Sequence, residues 1–443
     1  MADGPLPADD LKEDEVFARL DARLMSGAVA PVALAFSGGG DSTALMRLST
    51  VWARRRGRRI VALTVDHGLH PDSGAWTRRA GEVARTLGLD WRPLVWEGAK
   101  PSTGLAAAAR QTRHALIAES ARAAGARVVL TGHTLDDVLE GEVMRAEGLP
   151  LGRLVEWSPS PVWPEGRGLM LLRPLLGVRR TAIRRWLRAQ GADWLDDPAN
   201  DDPRHPRVRA RRALHGRATA SPCLAEPAVA ETVRAAPGGG LRLERGASPR
   251  ALGLAVLCAG GGCAPPRRRR LEALADRLAT GEQFGATLAG ARIEAGVDAV
   301  LVAREPGEWA RRGEPALRLR PGHVAIWDGR FEIAVDAPGW TVAPARGRMA
   351  ALPPEDRAEL MRRPAMLRPI SPVIVGDDGS GPRLAGRVAT VRCLVLQRYR
   401  LAAGETPHER ALVGADDGAG AETDLCLFGD GAGASSLAFR GVR

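Results

Sequence analysis

The chain has 443 residues, with 63 Lys plus Arg against 52 Asp plus Glu and a net charge of +11 at pH 7. At roughly 100–200 residues per domain this length predicts two or three domains, and a hydrophobic share of 45% is ample for a core in each. No run of about 18 uncharged apolar residues occurs, so the pattern contains no membrane-spanning helix.

The basic residues are almost all Arg; the only lysines are Lys12 and Lys100. Two readings of this excess stand side by side. One is compositional bias in a chain rich in Ala, Gly and Arg. The other is a polyanionic partner, because the guanidinium fork matches phosphate and net positive charge steers nucleic acid. Cys223, Cys258, Cys263, Cys393 and Cys426 form no C-x-x-C pair. Neither a disulfide scaffold nor a structural zinc site is expected. The stretch Met1–Asp21 is acidic and lacks the basic and apolar regions of a secretory signal. Reduced thiols and no export signal point to the cytoplasm.

Pro31-Val32-Ala33-Leu34-Ala35-Phe36 predicts a short buried strand that ends in a glycine cluster. A helix follows, with Leu45, Leu48, Val51 and Trp52 on one face and Arg54, Arg55 and Arg56 at its C-terminal end, where cations suit the dipole. Ile60 to Val65 predicts a second buried strand, stopped at Asp66-His67-Gly68. A helix with Trp76, Ala80, Val83, Ala84 and Leu87 on its stripe ends at Gly88, and Trp91 to Trp96 is a third strand. A long Ala-rich helix spans Leu105 to Ala124, and Arg127 to Thr131 is a fourth strand running into Gly132-His133. Continuous apolar strands alternating with helices predict a parallel sheet covered on both faces. An amphipathic helix over Arg179 to Gln190 and an Asp-, Pro- and Arg-rich stretch to Leu214 follow.

The predicted fold is α/β: a Rossmann-like parallel-sheet domain over 1–215, a linker over 216–246 that includes Pro237-Gly238-Gly239-Gly240, and a smaller mixed α+β region over 247–443. Within that region a helix is expected near Leu271 to Ala279. Hairpins are expected over Thr287 to Ala303 and over His323 to Val335, the latter turning at Asp328-Gly329. The Gly-, Ala- and Asp-rich last thirty or so residues are expected to be loosely ordered.

The loop Ser37-Gly38-Gly39-Gly40-Asp41-Ser42 joins the first strand to its helix. Glycines let backbone approach a ligand, and N–H groups at a helix start point at an anion. Ser37 and Ser42 add hydroxyl donors. Asp41 repels phosphate, so its expected role is to hold Mg²⁺. The loop lacks the lysine of the Walker motif and the spacing of the dinucleotide fingerprint. Its place at the carboxyl end of the first strand is where ligands bind in such sheets.

The S-G-G-x-D-S pattern resembles the PP-loop of the N-type ATP pyrophosphatases, which cleave ATP between the α and β phosphates and adenylate a substrate. Three more stretches resemble the tRNA(Ile)-lysidine synthases within that superfamily. These are Val65-Asp66-His67-Gly68-Leu69-His70; Gly132-His133-Thr134-Leu135-Asp136-Asp137 with Glu140; and Arg173-Pro174-Leu175-Leu176 with Asp197-Pro198-Ala199-Asn200 and Arg207, Arg209 and Arg211. Together they span about Pro31 to Leu214 in family order. Val138, Gly141 and Val208 depart from the polar residues usual there.

The resemblance implies an ATP-dependent ligase that joins free L-lysine to the wobble cytidine of a tRNA(Ile) with a CAU anticodon through an adenylated cytidine. It implies ATP contacts from Ser37, Gly38, Gly39, Gly40, Asp41, Ser42 and Asp66, catalytic roles for Asp41, Asp137 and His133, and Mg²⁺ at Asp41. It implies lysine or tRNA contacts from Asp136, Glu140, Arg110, Arg113, Arg173, Arg207, Arg209 and Arg211. The residues themselves leave other readings open. An acidic pair such as Asp136-Asp137 also suits any first helical turn, loop histidines such as His67 and His70 are often surface groups, and helical arginines often face solvent. From Arg179 to Arg217 there are eleven Arg against five Asp, a density that suits an RNA-facing surface. Two alternatives stand: another PP-loop tRNA-modifying enzyme, disfavoured for thiolation by the missing C-x-x-C pairs, or a non-catalytic RNA-binding relative, disfavoured by the intact loop.

Overall fold

The computed structural model describes residues 10–149, 151–195, 206–214, 224, 232–263 and 265–417. Asp197 to Asn200, the linker's first part and the chain's last residues lie outside these. The chain divides into two compact units: Met1–Pro227 with Thr406–Leu412, and Ala228–Glu405 with Val413–Arg443.

The first unit begins with α1 (Glu13–Asp21), β1 (Val32–Ala35), α2 (Gly40–Arg56), β2 (Ile60–Asp66), α3 (Ser73–Thr86) and β3 (Asp90–Val95). It continues with α4 (Leu105–Ala123), β4 (Val128–Leu130), α5 (Leu135–Ala146), β5 (Trp157–Pro159), β6 (Met170–Leu172), α6 (Arg180–Ala189) and α7 (Pro206–Leu214). One six-stranded sheet has the order β3-β2-β1-β4-β6-β5. All its pairs are parallel except β5 with β6. Val32, Ala33 and Leu34 are wholly buried, as a central parallel strand requires. The polar edge strand β3 carries Pro93, whose missing N–H is tolerated at an edge. Ile117, Ala118 and Ala121 of α4 pack with Ala33, Val61, Leu63, Val129 and Leu171 of the sheet.

The strand order reverses between β1 and β4. Successive strands run from β1 through β2 to β3 on one side, then resume at β4 on the other. Loops leaving the carboxyl ends of β1 and β4 therefore diverge and open a crevice, the ligand position in doubly wound sheets.

The second unit contains β7 (Val233–Ala236), β8 (Gly240–Glu244), α8 (Pro249–Ala259), α9 (Arg268–Ala279), β9 (Phe284–Leu288), β10 (Ala291–Ala295), β11 (Ala299–Arg304) and α10 (Gly307–Arg312). Then come β12 (Leu317–Arg318), β13 (Ala325–Trp327), β14 (Phe331–Ala334), β15 (Trp340–Pro344), α11 (Pro354–Arg362), β16 (Pro372–Gly376), β17 (Arg383–Leu384), β18 (Thr390–Cys393) and α12 (Val395–Ala403). The strands form antiparallel sheets ordered β7-β8-β11-β10-β9, β12-β15-β16-β17 and β13-β14-β18.

Two sequence expectations change here. Pro237-Gly238-Gly239 is not linker but the turn of the β7–β8 hairpin. Gly238 and Gly239 have φ of 73° and 78°, and a Cβ on Gly239 would sit 2.9 Å from the Phe331 ring. The glycines answer backbone shape and close packing, not flexibility. Thr287 to Ala303 is also more than one hairpin, since β9, β10 and β11 form a three-stranded meander. The Asp328-Gly329 turn stands as expected: both residues have positive φ, and Arg330 N–H donates to Trp327 O at 3.0 Å.

The chain returns to the first unit at Thr406–Leu412. The Glu409 carboxylate accepts from both terminal nitrogens of Arg58 at 2.8 and 2.9 Å and from Met25 N–H at 2.8 Å. The Arg58 and Glu409 side chains are 0% and 2% exposed. Removing one partner of a buried pair leaves an uncompensated charge, which costs about 3–5 kcal/mol. Glu409→Ala is expected to lower unfolding stability of the first unit by about that amount, and Glu409→Gln by less. Denaturant unfolding followed by tryptophan fluorescence measures it; a loss under about 1 kcal/mol would contradict the assignment.

Candidate active site

The crevice is built from the two turns that flank the strand-order reversal. On the β1 side, Gly38 takes φ 83°, open to glycine and costly for other residues. Ser42 Oγ accepts from Ser37 N–H at 3.3 Å and donates to Gly39 O at 2.9 Å, and Thr43 Oγ1 donates to Gly38 O at 3.2 Å. These bonds turn the loop carbonyls into the protein. Among the described residues the N–H groups of Gly40, Asp41 and Ser42 find no acceptor, so the first turn of α2 keeps its donors for an anion. Leu195 N–H caps the loop by donating to Gly38 O at 2.9 Å.

On the β4 side, Gly132 packs directly on α2. A Cβ there would lie 3.0 Å from Ser42 N and 3.1 Å from Asp41 C. Both are backbone atoms, so a side chain there would require α2 to shift by a few tenths of an ångström. The same approach brings the first turn of α5 beside the loop. Thr134 caps that helix: its N–H and its hydroxyl each donate to Asp137 Oδ2 at 2.9 Å. Asp137 is thereby oriented by the backbone it terminates.

Four acidic residues and four arginines then meet. Arg180, first residue of α6, reaches Asp41 Oδ2 through Nε at 3.1 Å, Glu140 Oε1 through Nη1 at 3.1 Å and Asp137 Oδ2 through Nη2 at 3.4 Å. Its backbone N–H donates to Asp136 Oδ2 at 2.6 Å, and Arg179 pairs with Asp136 at 3.3 Å. Arg211 Nε donates to Glu140 Oε1 at 3.0 Å, and Arg207 stands 3.8 Å from Asp137. Glu140 Oε2 is buried and has no partner among the described residues.

Burial raises the Asp41 pKa, against the pull of Arg180. Burial opposes ionisation of Asp137 as well, but the pull of Arg180 and the Thr134 N–H outweighs it and leaves that carboxyl lowered. Burial, and then Arg173, push His133 well below its ordinary value, against Asp137. His133 Nδ1 faces Thr131 Oγ1 at 3.1 Å, so a neutral, oriented imidazole stands beside an ionised carboxylate.

A second cluster is purely cationic. Arg110 and Arg113 of α4 make no ion pair among the described residues. Burial and then repulsion from Arg110 and Arg207 bring Arg113 down to about 10. Desolvation by its neighbours and then Arg207 lower Arg110, against Asp137, although its side chain keeps an exposed surface. Asp137, which also pairs with Arg207, is the carboxylate that offsets part of this charge.

The other expected residues are placed differently. Arg173 is buried and donates to Val155 O at 2.7 Å and Ser158 Oγ at 3.0 Å; it braces the sheet instead of facing solvent. Arg209 is exposed on α7. Asp66 accepts from Gly68 N–H at 2.8 Å at the end of β2. His67 is half-buried edge-on to Trp96, and exposed His70 stacks on Trp76. Val138 and Val208 are both buried, on helices α5 and α7 that pack together. The apolar pair fits that contact.

Residues 14–218 match the family described as PP-loop domain. A tRNA(Ile)-lysidine synthase of Caulobacter vibrioides is 46% identical over 403 residues, covering 89% of this chain and 98% of that protein. The chain belongs to the tRNA(Ile)-lysidine synthase family. Proteins of the same name from Hyphomonas neptunium and Rhizobium meliloti are 40% and 32% identical, covering 69% and 79% of this chain and 92% and 83% of theirs. Membership makes the chain an ATP-dependent ligase with a PP-loop nucleotide site.

One group of this family member that the sequence reading did not single out shapes its pH response. His114 of α4 is buried, and burial with the cations Arg113, Arg110 and Arg173 lowers its pKa from 6.5 to about 3. Between these values the unfolded chain binds a proton that the folded chain refuses. Stability is therefore full above about pH 6.5 and falls as pH drops toward 3. His114→Leu is expected to remove about 2 kcal/mol of the stability loss between pH 7.5 and pH 5. Denaturant unfolding at the two pH values checks this; equal losses in variant and wild type would contradict it.

Proposed function

We propose that the chain ligates the ε-amino group of free L-lysine to C2 of the wobble cytidine in the CAU anticodon of tRNA(Ile). The observation that carries this reading is the packing of Gly132 on the backbone of Asp41 and Ser42. It sets a phosphate-binding helix start beside Asp137, His133 and Glu140.

In the first step the cytosine C2 oxygen attacks the α-phosphorus of ATP, the α–β bridging bond breaks and pyrophosphate leaves. The free N–H groups at the start of α2 and the hydroxyls of Ser37 and Ser42 face the charge that builds on the leaving group. In the second step the lysine Nε attacks C2, the C2–O bond breaks, AMP leaves and the nitrogen loses a proton. Free lysine has a pKa near 10.4. Asp137 and Glu140 are placed to hold the ammonium, and the surrounding arginines favour its neutral form. The proton then passes to water, beside the neutral His133 imidazole. Asp66 stands at the ribose side of the nucleotide.

The residues fit one Mg²⁺ shared with phosphate. Asp41 already draws a cation, and among the described residues no group of three or more His, Cys, Asp or Glu forms a protein-only site. When bound, the ion neutralises phosphate charge.

For RNA, the arginines of α6 and α7 supply phosphate contacts. In the second unit, exposed Arg267, Arg268, Arg269 and Arg270 crowd the start of α9. Cations oppose the dipole there, and among the described residues only Arg268 of the four has an ion pair, with Glu272 at 2.7 Å. A phosphate partner would compensate that cost, so we assign this unit a tRNA-binding role. ATP and tRNA as substrates place the enzyme in the cytoplasm; among the described residues no helix is long and apolar enough to cross a membrane.

Labelled lysine, ATP and Mg²⁺ with an unmodified CAU-anticodon tRNA(Ile) transcript test the reading. Label is expected to enter the RNA with wild type and to fall by about 100-fold or more with Asp41→Ala. Pyrophosphate release without label would instead favour another PP-loop modification.

A further inference from the structure

The acidic cluster is charge-balanced without substrates, and one side chain does most of the balancing. Arg180 alone touches Asp41, Asp137 and Glu140, at 3.1, 3.4 and 3.1 Å. Arg207 and Arg211 add a cation each at Asp137 and Glu140. In direct contact three carboxylates thus face three guanidinium groups, while Arg184 and Arg110 add positive charge from farther out. A fourth cation entering this cluster would leave it one charge in excess, a costly state in a partly dry crevice.

The proposed reaction brings in that fourth cation, the lysine ammonium, once the phosphates of ATP and its adenylate have entered the crevice. One resident guanidinium must therefore leave the carboxylates, and the phosphates need one. Arg180 is built to make this move. Its helix stays anchored without the side chain, because its backbone N–H is held by Asp136 at 2.6 Å and Arg179 also pairs with Asp136. Its Nε already borders Asp41, on the first turn of the phosphate-binding helix. The cluster also keeps an acceptor in reserve. Glu140 Oε2 is buried without a partner among the described residues, and an ammonium carries three donors against the one that Arg180 Nη1 gives Glu140.

We propose, resting on the lysine-ligating reading, that Arg180 is a place-holder for the substrate ε-ammonium. It neutralises Asp137 and Glu140 in the empty site, yields them to lysine, and turns to the phosphates. Glu140 is the specificity residue that receives the ammonium on its free oxygen. Arg180 therefore competes with lysine, whereas a merely structural arginine would support lysine binding.

The test measures KM for lysine and kcat separately, at saturating ATP and tRNA, for wild type, Arg180→Gln, Arg180→Lys and Glu140→Gln. In parallel it measures the shift in unfolding temperature of each full-length protein caused by L-lysine and by norleucine, which lacks the ammonium. Removing the competitor in Arg180→Gln is expected to lower KM for lysine and to enlarge the lysine-specific shift. Its kcat should fall about tenfold or more because the phosphates lose a cation. Arg180→Lys should recover part of kcat. Glu140→Gln is expected to raise KM for lysine about tenfold or more while KM for ATP stays unchanged. A raised or unchanged lysine KM in Arg180→Gln, or an unchanged one in Glu140→Gln, would overturn the proposal. If wild type incorporates no lysine, the underlying reading fails instead.

Discussion

The absence of a side chain at Gly132 is the constraint on which the catalytic unit turns. With hydrogen there, the end of β4 rests on the first turn of α2, and the two loops that diverge at the strand-order reversal share a wall. A Cβ would push against backbone at 3.0 Å, and no rotamer change could absorb it. Everything chemical follows from this approach. The donors of the glycine loop face one side of the crevice, and the carboxylates of α5 face the same side. The open first turn of α2 and the acidic first turn of α5 are thereby held a few atoms apart.

Such a pair of opposed sites needs internal charge compensation, and α6 supplies it. Arginines at a helix start are unfavourable for the helix itself. Here Arg179 and Arg180 are repaid by Asp136, Asp41, Asp137 and Glu140. The site is therefore a network in which one guanidinium serves several carboxylates. Arg110 and Arg113, which make no ion pair among the described residues, add a positive field that joins burial in keeping His114 neutral.

Much of the first unit was legible in the sequence because its signals are local. Apolar runs marked β1, β2 and β4, glycine and arginine marked the end of α2, and the Ser37–Ser42 spacing marked an anion loop. What escaped notice depends on residues far apart in the chain. Arg180 reads locally as one cation on the wet face of an amphipathic helix; its three carboxylate partners come from α2 and α5. Glu409 carries no sequence hint that it neutralises Arg58, 351 positions away. Pro237-Gly238-Gly239-Gly240 reads as a linker by composition, whereas positive φ and the nearby Phe331 ring make its glycines parts of a tight turn. Val138 and Val208 looked like losses from a polar site, yet both are buried on two packed helices.

The central claim is that the crevice first adenylates RNA and only then admits lysine. Incubating enzyme, Mg²⁺ and CAU-anticodon tRNA(Ile) transcript with ATP labelled at the α-phosphate, lysine omitted, tests it most directly. The account predicts label attached to the tRNA in proportion to enzyme, discharged as AMP when lysine is added. AMP release that never passes through labelled RNA, or that requires lysine from the outset, would contradict it.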